Sequence, residues 1–192
     1  LPILVLGHVQ PGQAGALIAN DITVGCYAAE QAKALSDAAR AAGGRVKIHL
    51  KADTGMGRIG FALRTDFQKA VREMIAASRL PGLELTGLFQ HFAVADADNA
   101  ADRAYTDAQH ALFVRAYEAL KAAGCEPAIL HCDNSAGVML HPDWPAGLPR
   151  ARCMARPGII LYGYDPSDEV RFGLFRPVMK LKTVVSQLKE LQ

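Results

Sequence analysis

The chain has 192 residues, 51% of them hydrophobic and 21% charged, with a formal net charge of +2 and a pI near 8.4. That balance excludes a disordered or fibrous chain, and a sequence of this length can bury roughly 70% of its unfolded surface. It offers no basic run with interleaved aromatics for nucleic acid, no apolar stretch long enough to cross a bilayer, and no signal-peptide pattern at Leu1–Leu6.

The first residue is not Met, so the chain is expected to start inside a longer protein. Cys26, Cys125, Cys132 and Cys153 form no C-x-x-C pair. They read as reduced thiols of a cytoplasmic protein rather than as a disulfide framework or a zinc site.

In chain order, short apolar runs alternate with longer Ala-rich stretches. Strands are expected at Ile3–Leu6 and Ile22–Cys26, followed by a helix over Ala28–Ala42 that Gly43-Gly44 stops. A strand over Val46–Lys51 follows. Thr65-x-x-Gln68 then has capping-box spacing and opens a helix over Thr65–Ala77. A strand at Leu85–Phe92, a helix over Asp102–Ala123 closed by Gly124, and strands at Ala128–Cys132 and Met154–Leu161 complete the series.

The strands are too apolar to have a wet face, which argues a parallel sheet buried on both sides. Such a sheet is either doubly wound or a closed barrel. No G-x-G-x-x-G turn follows the first strand, which weakens the doubly wound reading. A full barrel needs eight strands and about 250 residues. The expectation is therefore an α/β fold, a partial (β/α)8 TIM-type barrel of about six βα units over residues 1–176. Pro177–Gln192, with Val178, Leu181 and Val184 apolar and no helix after them, reads as the first strand of a separate β domain.

Barrel chemistry gathers at the C-terminal ends of strands. Those ends carry Lys51 to Arg58, then Gln90 and His91, then His131, Asp133, Asn134 and Ser135, then Arg156 and Gly158-Ile159. Lys51 and Arg58 are two cations that would repel in one cavity unless an anion lies between them. That anion is a substrate, Asp53 or a modification of Lys51; otherwise both are surface charges on a loop.

A serine hydroxyl and free backbone N–H groups at Ser135 and Gly158-Ile159 suit a phosphate. The plainer reading makes Ser135 or Asn134 a helix N-cap and Gly158 a turn. His91 and His131 are each either structural or catalytic, and His49, His110 and His141 read as surface residues. No H-x-H or H-E-x-x-H spacing occurs, so no metal site is expected.

Five motifs resemble those of one family in order and interval. They are Pro2-Ile-Leu-Val-Leu-Gly7, Lys51-Ala-Asp-Thr-Gly-Met-Gly-Arg-Ile-Gly60, Gly87-Leu-Phe-Gln-His-Phe-Ala93 with Ala95-Asp96, His131-Cys-Asp-Asn-Ser-Ala136, and Arg156-Pro-Gly-Ile159 with Leu161-Tyr-Gly163. Together they are similar to the alanine racemases, pyridoxal 5'-phosphate (PLP) enzymes of fold type III. The resemblance implies a PLP-holding barrel followed by a β domain, a cytoplasmic head-to-tail homodimer, and conversion of L-alanine to D-alanine for cell-wall precursors.

It also implies roles. Arg156 would face the pyridine nitrogen, and Ser135, Gly158 and Ile159 would bind the phosphate. Asn134 and Leu6 would line the cofactor. Arg58 would lie near the PLP phenolic oxygen and the substrate carboxylate, Lys51 would be carbamylated and pair with Arg58, and His91 would link Arg156 to a catalytic tyrosine.

Two departures stand out. No V-K-A-N-A-Y-G-like segment, which carries the family's cofactor lysine, occurs in these residues, and the chain is expected to stop before the second base, a tyrosine. It would then hold supporting residues and neither proton-transfer base. Gln90 stands where the family usually has threonine, a mild change. The rival readings are a PLP-binding homeostasis protein, a serine or broad-specificity racemase, and a non-catalytic barrel fragment. The first is opposed by the tail after Pro177 and by the segment from Lys51 to Arg58.

Overall fold

The structure, a computed structural model, describes residues 1–141 and 146–190. Its elements in order are β1 (Ile3–Val5), α1 (Ala14–Ala19), β2 (Ile22–Cys26), α2 (Ala29–Ala41), β3 (Val46–Asp53), β4 (Phe61–Ala62), α3 (Phe67–Ser78), β5 (Leu83–Phe89), α4 (Ala100–Ala122), β6 (Ile129–His131) and α5 (Ser135–Leu140). The strands pair in the order β1-β2-β3-β5-β6, every pair parallel, with β4 a short addition beside the end of β3.

That order never reverses. A doubly wound sheet has a switch point where successive strands run outward in both directions, whereas an arc of a barrel adds each strand beside the last. The sheet is therefore a half-barrel. Residue alternation along β3 explains what its two faces do. Val46, Ile48, Leu50 and Ala52, at most 1% exposed, belong to one apolar core with Leu35 and Ala39 of α2, Met74 of α3 and Phe113 and Leu120 of α4. Each large side chain buried this way contributes about 1.5–3 kcal/mol. His49 and Lys51 alternate with that set and point to the opposite, concave face. The register puts Gly87 opposite His49, Phe89 opposite Lys51, and His131 opposite Phe89.

Several expected elements are corrected. The helix starts at Phe67 rather than Thr65, because Asp66, not Thr65, caps it: its carboxylate accepts from the Lys69 amide at 2.9 Å. Asn99 likewise caps α4 through the Asp102 amide, moving that start back to Ala100. Met154–Leu161 is not a strand. Cys153 makes one parallel bridge to Leu130, and the amides of Met154 and Arg156 donate to Leu130 and Asp133. Pro157 then has no N–H to continue a ladder. The chain turns into a 3-10 segment over Ile159–Tyr162 that Gly163 closes.

No strand is assigned over residues 177–190 either. The Val178 amide donates to the Tyr162 carbonyl, but Leu181 and Val184 are 97% and 87% exposed, with no partner strand among the described residues. The expected tail strand reaches into residues 191–192, which lie outside those described.

Candidate active site

The concave face ends in a chain of hydrogen bonds whose direction follows from elementary chemistry. Arg156, in the segment that follows α5 and the bridge from Cys153 to Leu130, reaches back over the strand ends. One guanidinium nitrogen lies 2.8 Å from His131 Nδ1, and the other donates to the carbonyls of Gln90 (2.7 Å) and Cys132 (3.3 Å) and lies 3.4 Å from His91 Nδ1. A guanidinium only donates, so His131 Nδ1 accepts. A neutral His131 then carries its proton on Nε2, which lies 2.8 Å from His49 Nδ1. The sequence is fixed: Arg156 donates to His131, and His131 donates to His49. Phe89 stacks on His131 with centroids 4.7 Å apart and planes 2° from parallel, which holds the ring that orients the arginine.

Burial sets the charge states. It pushes His49 down to about 4 and, joined by the positive field of Arg156, His91 down to about 4; His131 is pushed down further by the same two causes. All three imidazoles are therefore neutral near pH 7, as the hydrogen-bond directions require. Arg156 is lowered by burial to about 10 and remains a cation.

Lys51 is 3% exposed, and its ammonium lies 5.1 Å from the Phe89 ring centroid. Burial lowers it to about 7, with Arg156 adding to the effect, Asp53 opposing it and Arg58 lowering it further. The reading of Lys51 as a surface charge is overturned; Arg58 does sit on an exposed loop. Two arginines still act on the buried amine, and this is the excess of positive charge that the sequence poses.

A cavity of about 250 Å³ opens beside Arg156. His91, Asn134, Ser135, Gly158 and Ile159 line it with Arg156, alongside Asp96, Ala136 and Pro166. Ser135, the first residue of α5, accepts from the Gly158 amide through Oγ at 2.8 Å, so it is not the helix cap. Asn134 is: its side chain accepts from the Gly137 amide at 2.9 Å. Six of the nine residues singled out from the sequence thus share one cavity. Lys51 and Arg58 act on it through their charge, and Leu6, 41% exposed at the end of β1, is not in its lining.

The sequence reading missed four buried polar residues. His49, taken as a surface residue, is 4% exposed and bonded to His131. Its spacing of two from Lys51 was the available signal, since alternate strand residues share a face. His110, taken the same way, is 8% exposed. Thr54 and Gln109 are buried at 2% and 1%, and Gln109 Nε2 donates to Thr54 Oγ1 at 3.1 Å. Nothing in their spacing announces that contact. Among the described residues, no group of three His, Cys, Asp or Glu is placed to hold a metal, and no helix is long and apolar enough to cross a membrane.

A parallel half-barrel with an arginine, neutral imidazoles and a serine-glycine cradle at its C-terminal strand ends defines an α/β-barrel domain of the ligand-binding kind. More specifically, the chain belongs to the alanine racemase N-terminal domain family, whose profile matches residues 1–166. It is 37% identical over 193 residues to the alanine racemase of Desulforamulus reducens and 41% identical over 192 residues to that of Desulfovibrio desulfuricans. Both matches take in 100% of this chain, against 49% and 48% of the relatives. The chain thus spans about half the length of the curated relatives it matches.

Among solved structures, the alanine racemase of Clostridium difficile 630 in complex with cycloserine superposes with a TM-score of 0.79 at 36% identity, over 92% of this chain and 45% of that one. The alanine racemase from Bacillus anthracis with bound L-Ala-P gives 0.71 at 29% identity, over 94% and 43%.

Proposed function

We propose that this chain is the cofactor-holding part of a PLP-dependent alanine racemase, with residues 1–176 in the barrel and residues 177–192 leading into a β domain. The single observation that carries the reading is the shared cavity of Arg156, His91, Asn134, Ser135, Gly158 and Ile159. Its donor set fits PLP: a fixed guanidinium suits a pyridine nitrogen, and a hydroxyl beside a glycine amide suits a phosphate. A Cβ at Gly158 would meet Ser135 Oγ at 3.9 Å, an ordinary contact, so the cradle rests on the Gly158 amide and the Ser135 hydroxyl rather than on the missing side chain. The relatives are alanine racemases; a cytoplasmic homodimer that supplies D-alanine for the cell wall is part of the same proposal and rests on the motif resemblance.

Arg156 would hold the ring nitrogen, Ser135, Gly158 and Ile159 the phosphate, and Asn134 one flank; Leu6, outside this lining, would stand at the other flank by the resemblance alone. When bound, PLP supplies an electron sink that acidifies the Cα–H of an amino acid. Arg156 donates and does not give up its proton near neutrality, so it would face a bound ring nitrogen as a hydrogen-bond donor only and would not protonate it.

Arg58 would contact the PLP phenolic oxygen and lie near the substrate carboxylate. Lys51, partly a free amine near pH 7, would be a nucleophile for CO2: its lone pair forms the N–C bond, one C=O π pair moves onto oxygen, and an N–H proton passes to solvent. The resulting carbamate anion relieves the repulsion from Arg58 and Arg156. His91 would connect Arg156 to the family's catalytic tyrosine. These residues bind, orient and set charge, and the two proton-transfer bases are expected outside them.

The test is L- to D-alanine conversion by the intact protein, with PLP binding followed by absorbance. We expect PLP-dependent interconversion of the two enantiomers. Ser135→Ala should weaken PLP binding about tenfold, the effect of one lost hydrogen bond to a charged group. Bound PLP without racemization of any amino acid would favour a homeostasis role and overturn the proposal. Racemization of serine in preference to alanine would overturn the substrate.

A further inference from the structure

Tyr105 and Gln109 lie four residues apart on α4 and therefore on one face of it. Gln109 is 1% exposed, and its side chain is fully engaged. Its Oε1 accepts from the Ala93 amide at 3.0 Å, and its Nε2 donates to Thr54 Oγ1 at 3.1 Å and to the His91 carbonyl at 3.3 Å. Thr54 in turn donates to Gln90 Oε1 at 2.7 Å, and the carbonyl of Gln90 receives Arg156. One buried amide thus joins the end of β3 to the end of β5.

Tyr105 holds the same β3 loop one residue further on. Its hydroxyl donates to the Gly55 carbonyl at 2.7 Å, and Arg64 covers its ring with the guanidinium carbon 4.5 Å from the centroid. Gly55 has φ +136°, and a Cβ there would fall 2.5 Å from the Tyr105 oxygen, so the approach is available to glycine alone. Asp53 completes the loop by accepting from the amides of Gly55 and Gly57. The next residue is Arg58.

We propose that Gln109 and Tyr105 are positioning residues. This face of α4 clamps the loop that carries Arg58 to the strand end that carries His91 and receives Arg156, and so sets the distance between the substrate-carboxylate side of the site and the cofactor side. The inference rests on the racemase reading for the role of Arg58, but the clamp itself rests on the hydrogen bonds alone. A structural prop would affect folding; a positioning clamp affects where Arg58 stands while the fold persists.

The experiment uses the intact protein and two variants. Tyr105→Phe removes one hydroxyl and keeps the ring under Arg64. Gln109→Leu removes all three side-chain bonds, and where it does not fold, Tyr105→Phe decides. The first readout is the rate of tryptic cleavage after the exposed Arg58 in the native protein, which reports opening of this loop whatever the protein does. Losing one hydrogen bond of about 1 kcal/mol should raise that rate about fivefold. The second readout is the split between KM and kcat. In Tyr105→Phe, KM for alanine should rise about fivefold on the same conversion, with kcat within about twofold and the absorbance of bound PLP unchanged.

Equal cleavage in Tyr105→Phe and the wild type would overturn the clamp. Faster cleavage with an unchanged KM would overturn its positioning role. A wild-type protein that does not turn over alanine would instead defeat the functional reading, and the cleavage comparison alone would then judge the clamp.

Discussion

His49 and Lys51 are buried groups whose charge states the fold dictates, and each makes a distinct demand on pH. The folded His49 titrates at about 4 because burial disfavours its cation, whereas an unfolded histidine titrates near 6.5. Above pH 6.5 both states are neutral and His49 costs nothing. As pH falls from 6.5 to 4, the unfolded chain takes up a proton that the folded one refuses, and stability falls by up to about 3 kcal/mol. His49→Leu should therefore flatten urea-measured stability between pH 6.5 and 4. It also leaves His131 Nε2 without its acceptor, at a cost of about 1–3 kcal/mol at pH 7. A variant that is both less stable at pH 7 and as acid-sensitive as the wild type would contradict the assignment.

Lys51 follows the same sign: stability tied to its neutral form is present above 10.5 and lost as pH falls through about 7. Near pH 8, added bicarbonate should raise the melting temperature and add the mass of one CO2 to Lys51. No change in either measurement would remove the carbamate from the proposal.

At the scale of elements, the pairing of β3 with β5 depends on Gly87. A Cβ there would lie 2.6 Å from three atoms of the His49 ring. The ring fills the space a side chain would need, and moving it would break the bond to His131. Gly87→Ala should destabilise the chain by about 1–3 kcal/mol, as overpacking does, and the Gly87→Ala/His49→Ala double variant should recover part of that loss in a denaturant series. Additive losses would mean that the glycine serves some other purpose.

Apolar runs at Ile22–Cys26 and Val46–Lys51 and helices stopped by Gly43 or Gly124 were legible because each follows from local composition. The strand-end residues Arg156, His91 and Ser135 were legible because a barrel puts its chemistry there. β4 has two residues and α1 six, too few for a periodicity to register. Met154–Leu161 is apolar enough for a strand, but Pro157 interrupts the ladder. His49 shared a face with Lys51, a signal present and unused. Gln109 and Tyr105 were out of reach, since their partners are 16 to 55 residues away and only the packed half-barrel brings them together.

At the scale of the whole molecule, the 192-residue chain presents two adhesive surfaces. One is the outer side of β1, which has no hydrogen-bonded neighbour among the described residues. The other is residues 174–188, where Leu174, Val178, Met179, Leu181, Val184, Val185 and Leu188 are all 54% to 97% exposed. Magnitudes decide between them. A strand of three residues offers a few backbone hydrogen bonds, each worth about 1 kcal/mol net. Seven large apolar side chains, at about 1.5–3 kcal/mol each if buried, offer several times more before the cost of ordering the segment is deducted. The tail should therefore dominate self-association of this chain on its own. Light scattering should give a mass that rises with concentration. Truncation after Arg176 should lower that rise far more than Ile3→Lys, which places a charge on the β1 edge. The reverse order of effects would make the open strand the stickier surface, and the irregular tail would then have to be ordered by contacts that its exposure does not show.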